Sequence, residues 1–243
     1  MNILLLSNST MPGEPYLGWC KQTLANFFSS SKVKDILFIP FAGVNLHQES
    51  IIRSYDVYTE KVSSVLSEFG LRITSLHRSN DAERSIQVAQ GILVGGGNTF
   101  YLVYMLHKLG IMKTIRNRVL HEGVPFAGWS AGSNIACPGL FTTNDMPIIQ
   151  PASFETLGLI PFQINPHYTD YHDPQHGGET RRQRIAEFLQ VNRKMSVLGL
   201  PEGTYLQGNE RELLFWGREH ALWFSFGKDP FYVEKGTNVM KLL

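Results

Sequence analysis

The first candidate for chemistry is Ser130, in the segment 128–132 (GWSAG). An apolar run precedes this segment and residues that favour a helix follow it. The pattern therefore predicts a strand, a tight turn and a helix, the arrangement of a nucleophile elbow. In an elbow the strained turn exposes the serine hydroxyl, and small neighbours let a substrate carbonyl approach. Because this short pattern also arises by chance, catalysis needs support from the rest of the chain.

Three polar residues further along the chain could complete a serine-based site. His167, Asp145 and Glu202 each lie beside a strand end that we expect at the same sheet edge as Ser130. A serine is inert at its free pKa, so an imidazole must take its proton and a carboxylate must orient the imidazole. Asp145 lies in a polar loop and Glu202 precedes a glycine, which are also ordinary turn positions. The residues alone leave the choice of carboxylate open.

A run of three glycines, 95–97, follows another buried strand. A phosphate-binding loop would need a following Lys-Ser/Thr pair or the G-x-G-x-x-G spacing, and neither is present. We therefore interpret the run as an oxyanion loop, with the backbone N–H of Gly97 opposite that of Ala131. The positive N-terminal end of the helix after Ser130 is expected to assist.

A loop rich in histidine raises a metal-binding alternative. His172, Asp173 and His176 lie close together in the sequence. Zinc ligands within a single segment usually have a regular spacing that puts them on one helix face, and these three do not. We predict neither a metal nor another cofactor.

The elements that must position these residues alternate between strand and helix from residue 2 to about 200. The run 91–94 is continuously apolar, which predicts a strand buried on both faces. We expect a doubly wound, mainly parallel sheet in one α/β domain over residues 1–243, with an antiparallel meander after Tyr205. Ligands of such sheets bind beyond the carboxyl ends of the strands. The predicted helices cover 17–28, 55–69, 81–90, 100–109, 111–122 and 180–191.

Bulk composition excludes several classes of protein. The 243 residues carry a formal net charge of +1, which predicts no nucleic-acid partner and no anionic membrane surface. No apolar run approaches the roughly 20 residues that span a bilayer, and the first residues do not have the pattern of a signal peptide. Cys20 and Cys137 could pair in principle but form no disulfide framework. We predict a cytoplasmic protein, and length and charge suit a monomer and a homodimer equally.

Eight blocks of residues, in one order between residues 7 and 203, resemble the peptidase E family of α-aspartyl dipeptidases. Together they are far more specific than the GWSAG segment alone. The blocks are 7–10 (SNST), 39–44 (IPFAGV), 94–100 (VGGGNTF), 128–132 (GWSAG), 143–147 (TNDMP), 163–167 (QINPH), 178–181 (GETR) and 199–203 (GLPEG).

The resemblance implies a serine peptidase with a fold similar to class I glutamine amidotransferases, which is flavodoxin-like. Such an enzyme would release N-terminal aspartate from dipeptides without a metal. Ser130 would be the nucleophile and His167 the base. The family pattern offers both Asp145 and Glu202 as the third member, and we prefer Glu202 because it ends a buried strand. Asn98, in the glycine block, would contact the substrate.

Recognition of an aspartyl side chain calls for a fixed cation. Arginine binds a carboxylate with two parallel hydrogen bonds, and a helix N-terminus also favours an anion. Arg181 matches the family block and opens a predicted helix, so it is our candidate. Arg182 and Arg184 are equally consistent with a solvated helix face. The free ammonium of a dipeptide could be bound by Glu179 or Asp170.

Two other functions remain open at this point. One is a related hydrolase that cleaves isoaspartyl bonds or aspartate polymers such as cyanophycin. The other is a domain similar to an amidotransferase that binds a small ligand and has lost its chemistry. The presence of Ser130, His167 and both acids disfavours the second alternative.

Overall fold

The protein is described here from a computed structural model covering residues 1–173, 175 and 177–243. Within that part of the chain, most strands are largely buried, and helices connect most of them. The strands are β1 (Ile3–Leu6), β2 (Asp35–Ile39), β3 (Arg72–Ser75), β4 (Gly91–Val94), β5 (Phe126–Trp129), β6 (Gln163–Pro166), β7 (Ser196–Leu200), β8 (Thr204–Gly208), β9 (Leu213–Gly217), β10 (Ala221–Ser225) and β11 (Phe231–Val233).

The helices lie mainly in the first half of the chain. They are α1 (Lys21–Ser30), α2 (Ile51–Leu66), α3 (Ala82–Val88), α4 (Thr99–Lys108), α5 (Met112–Leu120), α6 (Ala131–Asn134) and α7 (Arg181–Val191). Among the described residues, no helix has both the length and the apolar character that a bilayer crossing requires.

A seven-stranded sheet forms the centre of the fold, in the order β3-β2-β4-β5-β1-β8-β9. Its first five strands are parallel, and β8 and β9 add to the β1 edge in antiparallel fashion. The predicted mainly parallel α/β sheet is confirmed. The carboxyl ends of β4 and β5 therefore lie side by side, which brings the glycine run 95–97 next to Ser130.

The central strands of the large sheet are buried on both faces, as their continuous apolar runs predict. Leu4 and Leu93 pack against α1 and α2 on one face, in a cluster that includes Val62. Ile3 and Ile92 face the other way, into a cluster with residues of α4, α5 and the second sheet. Successive strand residues alternate between these two cores, which is the pleat of a β-strand.

The second sheet corrects one detail of the predicted arrangement. Strands β6 and β7 were expected to end at the same sheet edge as Ser130, but they pair with β10 and β11 in the order β11-β10-β7-β6. The antiparallel C-terminal strands are thus divided between two sheets. One face of the second sheet joins the core of the large sheet, with Ile164 and Leu200 in that cluster. The other face packs against α7 through Ile185 and Leu189.

Two predicted helix boundaries differ from the structure for local reasons. The helix expected from residue 17 begins at Lys21, because Leu17 has φ +57° and cannot continue a right-handed helix. The helix expected from residue 55 begins at Ile51, where the Ser50 side chain accepts a hydrogen bond from the backbone N–H of Arg53. This N-cap fixes the start of α2 earlier than its apolar spacing indicates.

Candidate active site

Ser130 lies at the turn between β5 and α6 with φ +52° and ψ −112°, a strained conformation for a residue with a Cβ. Its N–H donates to the carbonyl of Leu6 at 3.0 Å, which anchors the turn to the end of β1. Gly128 and Gly132 are required by close approach: a Cβ at Gly132 would lie 2.2 Å from the Val94 carbonyl oxygen, and one at Gly128 would meet Gly132 at 2.5 Å. The predicted elbow geometry is present.

The helix after the elbow is shorter than expected. α6 covers only four residues, Ala131–Asn134, before the chain turns again. A macrodipole grows with the number of aligned peptides, so a four-residue helix contributes little of it. Any stabilisation of negative charge near Ser130 must therefore come from individual N–H groups.

The structure brings the predicted histidine into contact with the serine. His167 Nε2 lies 2.9 Å from Ser130 Oγ, and its Nδ1 lies 2.7 Å from Glu202 Oε1. With Nδ1–H donating to the carboxylate, Nε2 carries the lone pair that the serine proton needs. The three side chains come from the ends of β5, β6 and β7, so two different sheets supply them.

The backbone of His167 is held in an unusual conformation by a buried serine. His167 has φ +53°. Its N–H donates to Ser7 Oγ at 2.9 Å, and the Ser7 hydroxyl donates to the carbonyl of Leu200 at 2.8 Å. Ser7 is fully buried at the end of β1. One hydroxyl therefore fastens β1 of the large sheet to both strands that carry His167 and Glu202.

Asp145 does not contact His167. Its Oδ2 accepts hydrogen bonds from the Thr99 N–H at 2.7 Å, the Thr99 hydroxyl at 2.5 Å and the Thr143 hydroxyl at 2.9 Å. A carboxylate at the first N–H of α4 is favoured by the positive end of that helix. Between the two acids left open by the sequence, Glu202 is the one placed to orient His167.

The backbone amides of Gly97 and Ala131, near Ser130, have no hydrogen-bond partner among the described residues. Gly97 has φ +134°, and a Cβ there would lie 2.1 Å from the Ala42 carbonyl oxygen, so only glycine fits. The neighbouring Gly96 packs directly on Ser130, since a Cβ at Gly96 would lie 2.9 Å from that of Ser130. The two amides predicted as oxyanion donors therefore lie near Ser130 and are not engaged by described residues.

A cavity of about 600 Å³ opens beside Ser130. Asp145 is the single carboxylate among the described residues that line it, and Lys61 is the single Lys or Arg. Asn98 also lines it, but both ends of its side chain are engaged. Its amide donates to the Met146 carbonyl at 2.9 Å, and its oxygen accepts from the N–H of Tyr101 to cap α4. Asn98 thus fixes the loop that carries Asp145.

Arg181 lies in a separate, smaller pocket of about 170 Å³, which shares Asp145 with the Ser130 cavity. It is half-buried at the first position of α7 and forms no ion pair with a described residue. Burial, followed by the nearby charge of Arg184, lowers the pKa of Arg181, and the charge of Asp145 opposes this. The structure brings Arg181 close to Asp145 but not into the space next to Ser130.

The remaining candidates lie away from the nucleophile. Glu179 is exposed and does not line the Ser130 cavity. Asp170 is bonded to the Tyr168 hydroxyl at 2.5 Å and to Arg182 at 3.3 Å, on the far side of His167. No group of three or more His, Cys, Asp or Glu in the described part of the chain could hold a metal ion. His176, one member of the metal alternative, lies outside the described residues.

Sequence reasoning overlooked three residues that the structure brings to the site. Ser7 belongs to one of the family blocks, and a serine directly after a buried strand can form hydrogen bonds with backbone groups. Lys61 and Tyr16 line the Ser130 cavity. Lys61 lies near the end of α2, on the exposed side of the helix. Its place at the cavity becomes evident only from the close approach of Tyr16 to that helix. No local pattern signals such a contact.

A serine on an elbow, with a histidine and a carboxylate behind it on a parallel α/β fold, defines the class of α/β serine hydrolases. Residues 3–215 match the model of Peptidase family S51. The chain therefore belongs to peptidase family S51, which confirms the family resemblance found in the sequence.

Relatives named peptidase E match nearly the whole chain. A peptidase E of a Nostoc species is 46% identical over 227 residues, which cover 93% of this chain and 90% of the relative. A peptidase E of Shewanella amazonensis is 43% identical over 247 aligned residues and covers 100% of both chains.

Solved structures agree in fold. A peptidase from an acI-B1 Actinobacterium superposes with a TM-score of 0.67 at 16% identity, covering 97% of this chain and 95% of that one. A putative peptidase E of Listeria monocytogenes gives a TM-score of 0.61 at 20% identity, with 90% and 98% covered. At such identities these structures support the fold alone.

Proposed function

We propose that this protein is a serine dipeptidase that removes aspartate from the N-terminus of Asp-X dipeptides. The observation that carries the proposal is the pair of contacts of His167, 2.9 Å to Ser130 Oγ and 2.7 Å to Glu202 Oε1. Membership of family S51 and relatives named peptidase E support the same class of reaction.

In the proposed reaction, Ser130 Oγ attacks the carbonyl carbon of the aspartyl residue while His167 Nε2 takes the hydroxyl proton. The Nδ1–H of His167 donates to Glu202, which stabilises the imidazolium that forms. The scissile C–N bond then breaks, and His167 returns the proton to the leaving amine. Water, deprotonated by the same imidazole, hydrolyses the aspartyl ester and regenerates the Ser130 hydroxyl.

The oxyanion of each tetrahedral intermediate would be bound by the N–H groups of Gly97 and Ala131. Both amides are unengaged by described residues, and Gly96 packs against Ser130. Donors that are already oriented need no reorganisation when the charge develops. Removal of one such donor typically costs about 10²–10³-fold in kcat.

The N-terminal residue of the substrate carries an ammonium and a side-chain carboxylate. Asp145, the acidic residue lining the Ser130 cavity, is the proposed partner of the ammonium. Arg181 is the proposed partner of the aspartyl carboxylate, because it is half-buried, pairs with no described acid and lies just beyond Asp145. Both groups would meet the substrate at the same end of the cavity, since Asp145 lines both pockets.

We expect Ser130→Ala to abolish hydrolysis of Asp-Leu without unfolding the protein. Loss of the nucleophile in well-studied serine triads costs roughly 10⁶-fold in kcat. The measurement is release of leucine, with a melting curve as the control for folding. A variant that keeps a tenth of wild-type activity would rule out a serine mechanism. A wild type that fails to react with a fluorophosphonate would point to a ligand-binding domain instead.

The substrate class is tested by comparing Asp-Leu, isoaspartyl-leucine and longer Asp-X-X peptides on the wild type. We expect Asp-Leu to be cleaved with the highest kcat/KM. A preference for isoaspartyl-leucine, or for an aspartate polymer, would overturn the proposed specificity while leaving the serine mechanism intact.

The proposed compartment is the cytoplasm, and the proposed partner is a small dipeptide. Cys20 and Cys137 are both free and buried, which suits a reducing environment. Burial raises the pKa of each thiol to about 12, so neither is an activated nucleophile at neutral pH. A homodimer remains a proposal that light scattering would test.

A further inference from the structure

The Ser130 cavity has two ends on opposite faces of the large sheet. At one end Asp145 binds the start of α4 through Thr99, and α4 packs on one face. At the other end Lys61 extends from α2, which packs on the opposite face together with Trp129. Ser130, directly after β5, lies between the two ends.

The ends carry opposite charges. Asp145 supplies a carboxylate at the α4 end. At the α2 end, Lys61 Nζ lies 4.2 Å from the centre of the Tyr16 ring. Of the described residues, no Asp or Glu oxygen comes within 4 Å of this ammonium. The cation is therefore held over an aromatic ring at the cavity edge and is not neutralised by an acid.

Tyr16 does not neutralise Lys61 either. Burial, and then the charge and hydroxyl of Tyr58, raise the pKa of Tyr16 well above its ordinary value. The Tyr58 hydroxyl itself donates to the carbonyl of Gly96 at 2.9 Å and accepts from Trp129 Nε1 at 3.0 Å. The ring of Tyr16 packs edge-on against Trp129, with ring centres 6.5 Å apart, so Lys61 lies over a ring that packs on this bonded network beside the oxyanion loop.

A dipeptide bound at Ser130 has a matching charge pattern. Its ammonium is on the aspartyl residue, and its free carboxylate is on the leaving residue, two bonds beyond the scissile nitrogen. With the aspartyl residue at the Asp145 end, the leaving residue extends toward α2. A tripeptide places a neutral amide there and moves the carboxylate about 3.5 Å further along the chain.

We propose that Lys61, held over the ring of Tyr16, binds the C-terminal carboxylate of the dipeptide and so makes the enzyme selective for dipeptides. The inference rests on the proposed function and assigns its leaving-group side. Lys61 acts on binding of the substrate and takes no part in the proton transfers.

The test combines one substitution with one change in the substrate. Wild type, Lys61→Met and Lys61→Arg are each assayed with Asp-Leu, Asp-leucinamide and Asp-Leu-Gly. A charge-assisted contact at an exposed site corresponds to roughly a tenfold change. We expect the wild type to prefer Asp-Leu over Asp-leucinamide by about tenfold in kcat/KM. In Lys61→Met this ratio should fall to near one, and Lys61→Arg should restore most of it.

Lys108→Met is the matched control, because Lys108 Nζ also lies over a tyrosine ring, 5.6 Å from the centre of Tyr104, but outside the cavity. Its substrate ratio should equal that of the wild type. An unchanged ratio in Lys61→Met, with normal hydrolysis of Asp-Leu by the wild type, would overturn this inference alone. A wild type that fails to cleave Asp-Leu would instead overturn the proposed function.

Discussion

Glu202 and Asp145 are two carboxylates that the sequence left equivalent and the structure separates. Glu202 follows β7 and directs Oε1 at His167 Nδ1, 2.7 Å away, with its side chain 43% exposed. Asp145 lies in a loop and directs Oδ2 at three donors of Thr99 and Thr143. One carboxylate is positioned to orient a base, and the other fixes the start of a helix.

The difference shows that the neighbouring donors decide the role of an acid. Three bonds on Oδ2 leave Asp145 Oδ1 as the atom available to a ligand, whereas Glu202 has one described partner, the imidazole. Asp145 also lies between the Ser130 cavity and the Arg181 pocket. We therefore propose that Glu202 takes part in the chemistry and that Asp145 takes part in binding the substrate.

The largest predicted effect separates these two roles directly. We expect Glu202→Gln to lower kcat for Asp-Leu by roughly 10³–10⁴-fold, because an amide in place of the carboxylate favours the wrong tautomer of His167. Asp145→Asn should lower kcat less than tenfold and mainly raise KM. Steady-state kinetics of both variants, with melting curves, provide the measurement.

A larger loss of kcat in Asp145→Asn than in Glu202→Gln, at an unchanged melting temperature, would contradict the roles proposed for the two acids. That result would make Asp145 the orienting acid after a rearrangement of its loop. Equal and small losses in both variants would mean that another group orients His167.

The large sheet could be predicted from the sequence because its signal is local. Continuous apolar runs such as β4 read as strands buried on both faces, and Gly91–Val94 has the same bounds in the structure as in the prediction. The helix predicted from residue 81 is also present as α3, with Asp81 as its N-cap, whose side chain accepts from the backbone N–H of Arg84. Chain segments of this kind carry their own secondary-structure preferences.

Sheet membership could not be predicted in the same way. Whether β6 and β7 extend the large sheet or start a second one depends on distant strands β10 and β11. The direction of the His167 side chain depends on its positive φ. This backbone conformation is held by a hydrogen bond to Ser7, which lies 160 positions earlier in the chain. The sequence identifies the residues of the site from their types, but the orientations of their side chains depend on long-range contacts.

Recognition of the aspartyl carboxylate by Arg181, which lies beside Asp145, can also be tested. We expect Arg181→Met to lower kcat/KM for Asp-Leu by about a hundredfold, the effect of losing a charge-assisted pair at a partly buried site. Hydrolysis of Asn-Leu, which lacks the side-chain charge, should be slow in the wild type and change much less. The measurement is the ratio of the two kcat/KM values.

Arg184→Met serves as the control, since Arg184 lines the same pocket but is exposed. It should leave the Asp-to-Asn ratio within a few-fold of the wild type. If Arg181→Met also leaves that ratio unchanged, the aspartyl carboxylate is recognised elsewhere in the cavity, and Arg181 has only a structural part beside Asp145.

The smallest predicted effect concerns the backbone of His167, the residue that Glu202 contacts. In Ser7→Ala the N–H of His167 loses its acceptor, and a buried donor left unpaired costs about 1–3 kcal/mol. The carbonyl of Leu200 loses the Ser7 hydroxyl but still accepts from the N–H of Tyr168 at 3.1 Å. The melting temperature should fall. Because His167 then samples other backbone conformations, kcat should drop about tenfold while KM stays nearly constant.

Ser30→Ala provides the comparison for stability alone, because the Ser30 hydroxyl also donates to a carbonyl, that of Phe27, but at the end of α1. Ser7→Thr keeps the hydroxyl and should recover part of the lost kcat if the buried site accepts the added methyl group. A Ser7→Ala variant that is destabilised yet has the kcat of the wild type would show that Glu202 and Ser130 hold His167 without the backbone bond. Positioning of the base would then reside entirely in the imidazole contacts, and the link between the two sheets would serve the fold rather than the reaction.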